Sequence, residues 1–323
     1  MLFFLRFSSL TKFFNLYDKK TNVAVIGGLF LYFNFFLLAT LFLFDQKNII
    51  FDDYFMNFFI DQSSISYREV LFFFLLPTLF FIMGIYDDKY DLNANYRIIA
   101  SFFIIFVFLL IDENFIIETI RYTDDVELNL YRLSMLFTAI CVTGLIFAFN
   151  MYDGINLQFG IHLLIVFIFF IMQGILENFF LIFALLILVF LYLNFKNKTY
   201  MGDSGAYFTG ALVSIIFLKN YNIGVLKVEE IIIVSLIPIL DMFRVIITRI
   251  FLGSHPFKKD NIHLHHILKH RYKKKYLWQI GSYLTLFNIF LLTNIKNVSL
   301  VLSISILIYI SLIIYLSLSK KSR

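Results

Sequence analysis

The stretch Asp260–His270, DNIHLHHILKH, carries His263, His265 and His266, with His270 behind them. Seven lysines and arginines lie between Lys258 and Lys275, and long apolar segments flank the stretch on both sides. Imidazole and cationic groups gathered at a membrane surface suit a polyphosphate. A basic loop that only sets topology has the same composition, so the weight falls on three further polar motifs. In GIYDDKYD (84–91), Asp87 and Asp88 end a long apolar run, and Asp91 follows at i+4 from Asp87. That spacing puts Asp87 and Asp91 on one helix face, within reach of one metal ion or one phosphate. In NMYDGIN (150–156), Asn150, Asp153 and Asn156 recur at spacings of three, and Gly154 permits a tight turn. Such groups are costly against lipid and should face protein or a water-filled cavity.

In MGDSG (201–205), preceded by Asn194, Asp203 lies between two glycines at a helix start, where backbone N–H groups favour an anion. A carboxylate beside such a site is a natural Mg²⁺ ligand, because Mg²⁺ takes one or two carboxylates plus phosphate oxygens. Ahead of the histidines, Asp241 and Arg244 are spaced to pair at i and i+3, and Arg249 brings a planar guanidinium suited to phosphate. Each motif alone also reads as a helix cap or a solvated turn. Together, carboxylates from three segments and basic groups from a fourth make the inventory of metal-assisted phosphoryl chemistry.

The elements that position these residues are membrane spans. The chain has 323 residues, 60% hydrophobic, 20% aromatic and only 15% charged, more apolar surface than a soluble domain of this size can hide. Cys141 is the only cysteine, so no internal disulfide forms, and no signal-peptide layout with a cleavage site precedes the first span. Ten segments have the length and composition of spans: 23–44, 68–86, 97–111, 133–151, 158–175, 178–195, 204–219, 230–251, 277–293 and 298–318. Residues 2–16 are apolar but short, and read as an eleventh span or an interfacial helix. With 18–22 inside, all but seven of the 27 lysines and arginines lie inside or at inner span ends. The exceptions are Lys47, Arg68, Arg121, Arg132, Lys219, Lys227 and Lys296. All four polar motifs then fall inside, and the acidic stretches 45–61 and 112–127 fall outside. The expectation is an all-α integral membrane protein. It is a polytopic bundle of about ten helices with cytoplasmic active-site loops, forming one unit over 1–323.

In order and in kind, these motifs resemble those of the polyprenyl-phosphate N-acetylhexosamine-1-phosphate transferases, glycosyltransferase family 4, from about Gly27 to Leu268. GIYDDKYD resembles the DD-x-x-D motif, NMYDGIN the N-x-x-DG-x-(D/N) motif, and Asn194 with MGDSG the N…GD-x-G motif. The segment from Asp241 to His266, with Arg249, Pro256, Phe257 and HLHH, resembles the PF-x-x-D-x-x-H-(I/L)-HH form. That form belongs to the branch starting O-antigen, teichoic acid and related glycans from N-acetylglucosamine-type sugars. The resemblance implies transfer of a sugar-1-phosphate from a UDP-N-acetylhexosamine to undecaprenyl phosphate at the bacterial inner membrane, facing the cytoplasm, with release of UMP. It implies Mg²⁺, with Mn²⁺ as the alternative, on Asp203. Asp87 and Asp88 would bind the metal–diphosphate or deprotonate the lipid phosphate. Asp153, Asn150 and Asn156 would shape the nucleotide site, which Asn194 would line, and Arg249, His263, His265 and His266 would hold the diphosphate. Membrane lipid is the surrounding partner, a homodimer is one assembly open to it, and nucleic acid is not a partner.

The chain departs from the family pattern in places. Its first inner loop, DKKTNVAVIGG, keeps Gly27 and Gly28 without the usual histidine. Leu157 and Gln158 stand where a glycine usually follows NMYDGIN, and Asn156 replaces a frequent aspartate. A transporter or flippase of lipid-linked sugars is the other class of function. Such proteins place ionisable groups near the midplane in paired repeats, whereas here they lie at span ends and no repeat is evident. A non-catalytic family member is a third reading, against which stands the retention of Asp87, Asp88, Asp153, Asp203 and HLHH.

Overall fold

The computed structural model describes residues 16, 17, 21, 23–44, 60, 61, 64–122, 126–257, 262–271, 278–295 and 297–318. The expected segment 2–15, Lys19 and Lys20, most of the outer stretch 45–61, Lys258 to Asp260 and Lys273 to Lys275 lie outside these residues. The helices are α1 (Gly27–Phe44), α2 (Tyr67–Tyr90), α3 (Ala94–Ile111), α4 (Ser134–Tyr152), α5 (Gln158–Met172) and α6 (Glu177–Phe195). They continue with α7 (Gly202–Asn222), α8 (Val228–Phe251), α9 (Leu264–Arg271), α10 (Trp278–Asn294) and α11 (Val298–Leu318).

Each of the ten segments expected to span is a helix, and the fold is all-α with many apolar helices, a multi-pass membrane protein. Among the described residues seven helices are both long and apolar enough to cross a bilayer; α5 and α10 are shorter apolar helices, and α7 is in neither group. The reason lies in packing. Every residue of α7 from Ser204 to Tyr221 is buried, so its glycines, hydroxyls, Lys219 and Asn220 meet protein instead of lipid. Helices α1, α2 and α4 pack around it. The approach to α2 is so close that a Cβ on Gly84 would stand 2.3 Å from the Ser204 Cα. Phenylalanines fill the remaining core, as in the Phe72–Phe115 stack with centroids 4.1 Å apart.

Local signals set the helix ends near the motifs. Asn93 caps α3 by accepting from the Asn95 N–H at 3.0 Å. α2 stops at Tyr90 because Asp91 turns into the left-handed region, φ 55°. This corrects the expectation that Asp87 and Asp91 share a helix face: Asp91 leaves the helix and is exposed. The histidine segment, expected as a loop, folds from Leu264 into α9. The stretch after α3, expected outside, holds a hairpin of β3 (Thr119–Tyr122) and β4 (Val126–Asn129), antiparallel with Thr119 opposite Asn129. A smaller hairpin, β1 (Ile60–Asp61) with β2 (Ser64–Ile65), precedes α2. At the hairpin end, Lys219 on α7 pairs with Glu69 on α2, and Tyr221 donates to the Thr119 carbonyl at 2.7 Å.

Candidate active site

At the other end of the bundle, the start of α7 forms the floor. Gly202 has φ 78°, and the chain then turns so that the N–H groups of Asp203 and Ser204 donate to Asp88 at 2.7 and 3.0 Å. The helix N-terminus thus holds an anion, as the GDSG pattern suggests, but that anion is the protein's own Asp88. Asp203 projects beside it, and its Oδ1 accepts from the Asn150 side-chain amide at 2.7 Å.

Asp87 is tied on both carboxylate oxygens. Oδ1 accepts from the Leu92 N–H at 2.9 Å, and Oδ2 pairs with Arg97 at 2.8 Å and receives the Tyr207 hydroxyl at 3.5 Å. Both aspartates of the pair therefore sit in structural bonds that lock the end of α2 to α3 and α7.

The NMYDGIN turn is held from below by Asn194. Its side-chain oxygen accepts the Leu157 N–H at 2.7 Å and its amide donates to the Thr199 carbonyl at 2.7 Å. Leu157 has φ 72°, a conformation that favours glycine, at the position where the resembled family usually carries one. Asn156 donates to the Asn194 carbonyl and to the Asn197 side chain. These contacts present Asp153 beside Asp203. Burial, and then the Asp203 carboxylate, push the Asp153 carboxyl up to about 7.

The fourth wall is the histidine segment. Asp241 gathers it: Oδ1 accepts from Arg244 at 2.6 Å, from the Leu264 N–H at 3.0 Å and from the Tyr309 hydroxyl at 3.0 Å. Its Oδ2 lies 3.0 Å from His263 Nδ1. The expected Asp241–Arg244 pair is present, and it serves to orient His263. Arg249 donates to the Pro256 carbonyl at 2.7 Å and lies 3.5 Å from His263 Nε2. The His263 and His265 rings are parallel with centroids 5.3 Å apart, and His266 is 4.2 Å from His265. Burial, and then His266 and His263, bring His265 down to about 3, so it is a neutral imidazole at physiological pH. Gly154 makes room for it: a Cβ there would stand 1.9 Å from His265 Nε2.

Asn150, Asp153, Asp203, Arg249, His263, His265 and His266 all line one cavity of about 310 Å³, together with Gly154, Phe147 and Phe257. Asp87, Asp88, Asn156 and Asn194 stand behind the wall and brace it. Sequence reasoning missed Arg97, which lines the cavity, and Tyr309, which reaches Asp241 from α11. The signal for Arg97 was a lone cation at the start of an otherwise apolar segment. Tyr309 gave none.

Among the described residues no three or more His, Cys, Asp or Glu side chains form a closed metal cage. The donor set nevertheless fits Mg²⁺, which keeps waters and substrate oxygens and needs few protein ligands. Asp203 and Asp153 supply two carboxylates close enough for Asp203 to raise Asp153, in a cavity whose other wall is cationic.

A comparison with curated proteins finds no match. The sequence profile described as "Glycosyl transferase family 4" matches residues 70–220, a span containing GIYDDKYD, NMYDGIN, Asn194 and GDSG. The histidine segment lies beyond that match and joins the site through the fold. Over those residues, which hold three of the four motifs, the chain is similar to glycosyl transferase family 4.

Proposed function

We propose that this membrane phospho-sugar transferase moves an N-acetylhexosamine-1-phosphate from a UDP-sugar to undecaprenyl phosphate. The similarity of residues 70–220 to glycosyl transferase family 4 supports the general class. One observation carries the finer reading: two carboxylates, two arginines and three histidines, drawn from separate segments, line one cavity at one end of the bundle. An acceptor phosphate oxygen forms a bond to the donor's β-phosphorus. The bond from that phosphorus to the bridging oxygen breaks, and UMP leaves with the bridging oxygen. Such a step depends on alignment and charge neutralisation more than on a strong base.

Asp203 and Asp153 would hold Mg²⁺, which supplies neutralisation of phosphate charge. Asn150 fixes the Asp203 rotamer through its 2.7 Å bond. Arg249 and His263, the latter held by Asp241, face the diphosphate, and the neutral His265 offers a hydrogen bond instead of charge. Asp88 clamps α7 so that Asp203 keeps its place. The positive-inside count supports a cytoplasm-facing cavity in a bacterial inner membrane, the side on which nucleotide sugars are made. The test is UMP release by purified protein in detergent, supplied with undecaprenyl phosphate, Mg²⁺ and a panel of UDP-amino sugars. Release that requires lipid and stops with EDTA supports the reading and names the donor. Silence across the panel from folded protein counts against it.

A further inference from the structure

Arg97 is a cavity residue to which the reaction above gives no role. It comes from α3, whereas Arg249 comes from α8, His263 from just before α9, and His265 and His266 from the first turn of α9. The residue is 8% exposed. Its NH1 donates to Asp87 at 2.8 Å and lies 3.4 Å from the Tyr207 hydroxyl, while its buried Nε has no hydrogen-bond partner. Asp87 is itself fixed by the Leu92 N–H.

A buried arginine that served only as half of an ion pair would have its donors satisfied within the protein. This one keeps a buried donor unmatched, lines the cavity, and is held by a carboxylate on its other side. A pre-oriented guanidinium is the group best suited to bind phosphate oxygens in a fixed geometry. The reaction brings two phosphate-bearing molecules together, and Arg249 with His263 supplies one cationic region. Arg97, on a different helix, supplies another.

We propose that Arg97 grips a phosphate group in the cavity, and that Asp87 acts through Arg97 as a positioning residue instead of as a metal ligand or a base. The identity of the phosphate, donor diphosphate or acceptor phosphate, rests on the transferase reading; the anion grip does not.

The probe is inorganic pyrophosphate, titrated calorimetrically into the purified full chain in detergent. The proteins are wild type, Arg97→Lys, Arg97→Gln and the double variant Asp87→Asn/Arg97→Gln. The double variant removes both buried charges, so neither is left alone. Wild type should bind, Arg97→Gln and the double variant should bind at least about tenfold more weakly, and Arg97→Lys should fall between. Equal binding by wild type and the double variant, or no binding by wild type, overturns the grip. Turnover then assigns the source. A raised KM for the lipid phosphate points to the acceptor and a raised KM for the UDP-sugar to the donor, while Arg97→Gln with unchanged kinetics overturns the role. For Asp87, the half-saturating Mg²⁺ concentration of Asp87→Asn should stay within about twofold of wild type, and the double variant should be no slower than Arg97→Gln alone. A large rise in that concentration, or additive losses, overturns the positioning role. Pyrophosphate binding that depends on Arg97 in a protein that turns over no UDP-sugar would support the grip and count against the reaction.

Discussion

Gly154→Ala should cripple the site without unfolding the protein. The added methyl would stand 1.9 Å from His265 Nε2, 2.1 Å from Cε1 and 2.5 Å from Cδ2. Ordinary contact needs about 3.5 Å, so the ring must retreat by roughly 1.6 Å. It has little room to do so, because His265 is 2% exposed, stacked on His263 and in tilted contact with His266. A misplacement of about 1 Å at a reacting centre costs on the order of 100-fold. We therefore expect kcat/KM for UMP release to fall about 100-fold, or about 2.7 kcal/mol of transition-state stabilisation. Gly154 lies in a turn rather than inside a helix, so the melting temperature in detergent should move by only a few degrees. The double variant Gly154→Ala/His265→Ala should be no slower than His265→Ala alone, since the clash has lost its object. A Gly154→Ala protein within about twofold of wild type, or a double variant much slower than His265→Ala, would refute the claim that this glycine exists to seat His265.

Asp203→Asn should abolish turnover while leaving the protein inserted in the membrane, and normal turnover would sink its assignment to the metal. Asp153 sits at about 7, so its charged form predominates above that pH and disappears below it. At limiting Mg²⁺, activity should rise about tenfold from about pH 6 to about pH 8. Asp153→Asn should flatten that limb, and a flat wild-type profile would contradict the assignment. Asn194→Leu strands the Leu157 N–H and the Thr199 carbonyl; it should cost about 2–4 kcal/mol of stability, read as a clear drop in melting temperature. With Cys141 replaced by serine, a cysteine at Lys198 should be labelled only from the cytoplasmic side and one at Glu127 only from outside, and the reverse pattern would invert the topology.

The helices were legible because lipid selects for long apolar runs, and the ten expected segments are all helical. Helix α9 was not legible, because His265, His266 and Lys269 look the same on a short helix as in a basic loop. The motifs announced that acidic and basic groups would meet, and seven of the residues so identified line the cavity. What spacing could not reveal was division of labour. Asp88 looks like a reacting carboxylate until the N–H groups of Asp203 and Ser204, more than a hundred residues away, are seen to occupy it. Asp87 looks the same until Arg97 is placed against it. Leu157 shows only in three dimensions that it holds a glycine-like backbone pose.

The sheathing of α7 bears on how the protein is made. An inserting machinery judges a segment largely by its partition into lipid, and a helix opening with an aspartate and closing with a buried lysine partitions poorly. The segment that carries Asp203 therefore depends on chaperoning by its own predecessors. Glu69 on α2 supplies the counter-charge for Lys219, and α1, α2 and α4, all synthesised earlier, supply the walls. Losing Glu69, at the far end from the cavity, would act during biogenesis: the nascent α7 would linger outside the bilayer and be cleared by quality control before any catalytic defect could be measured.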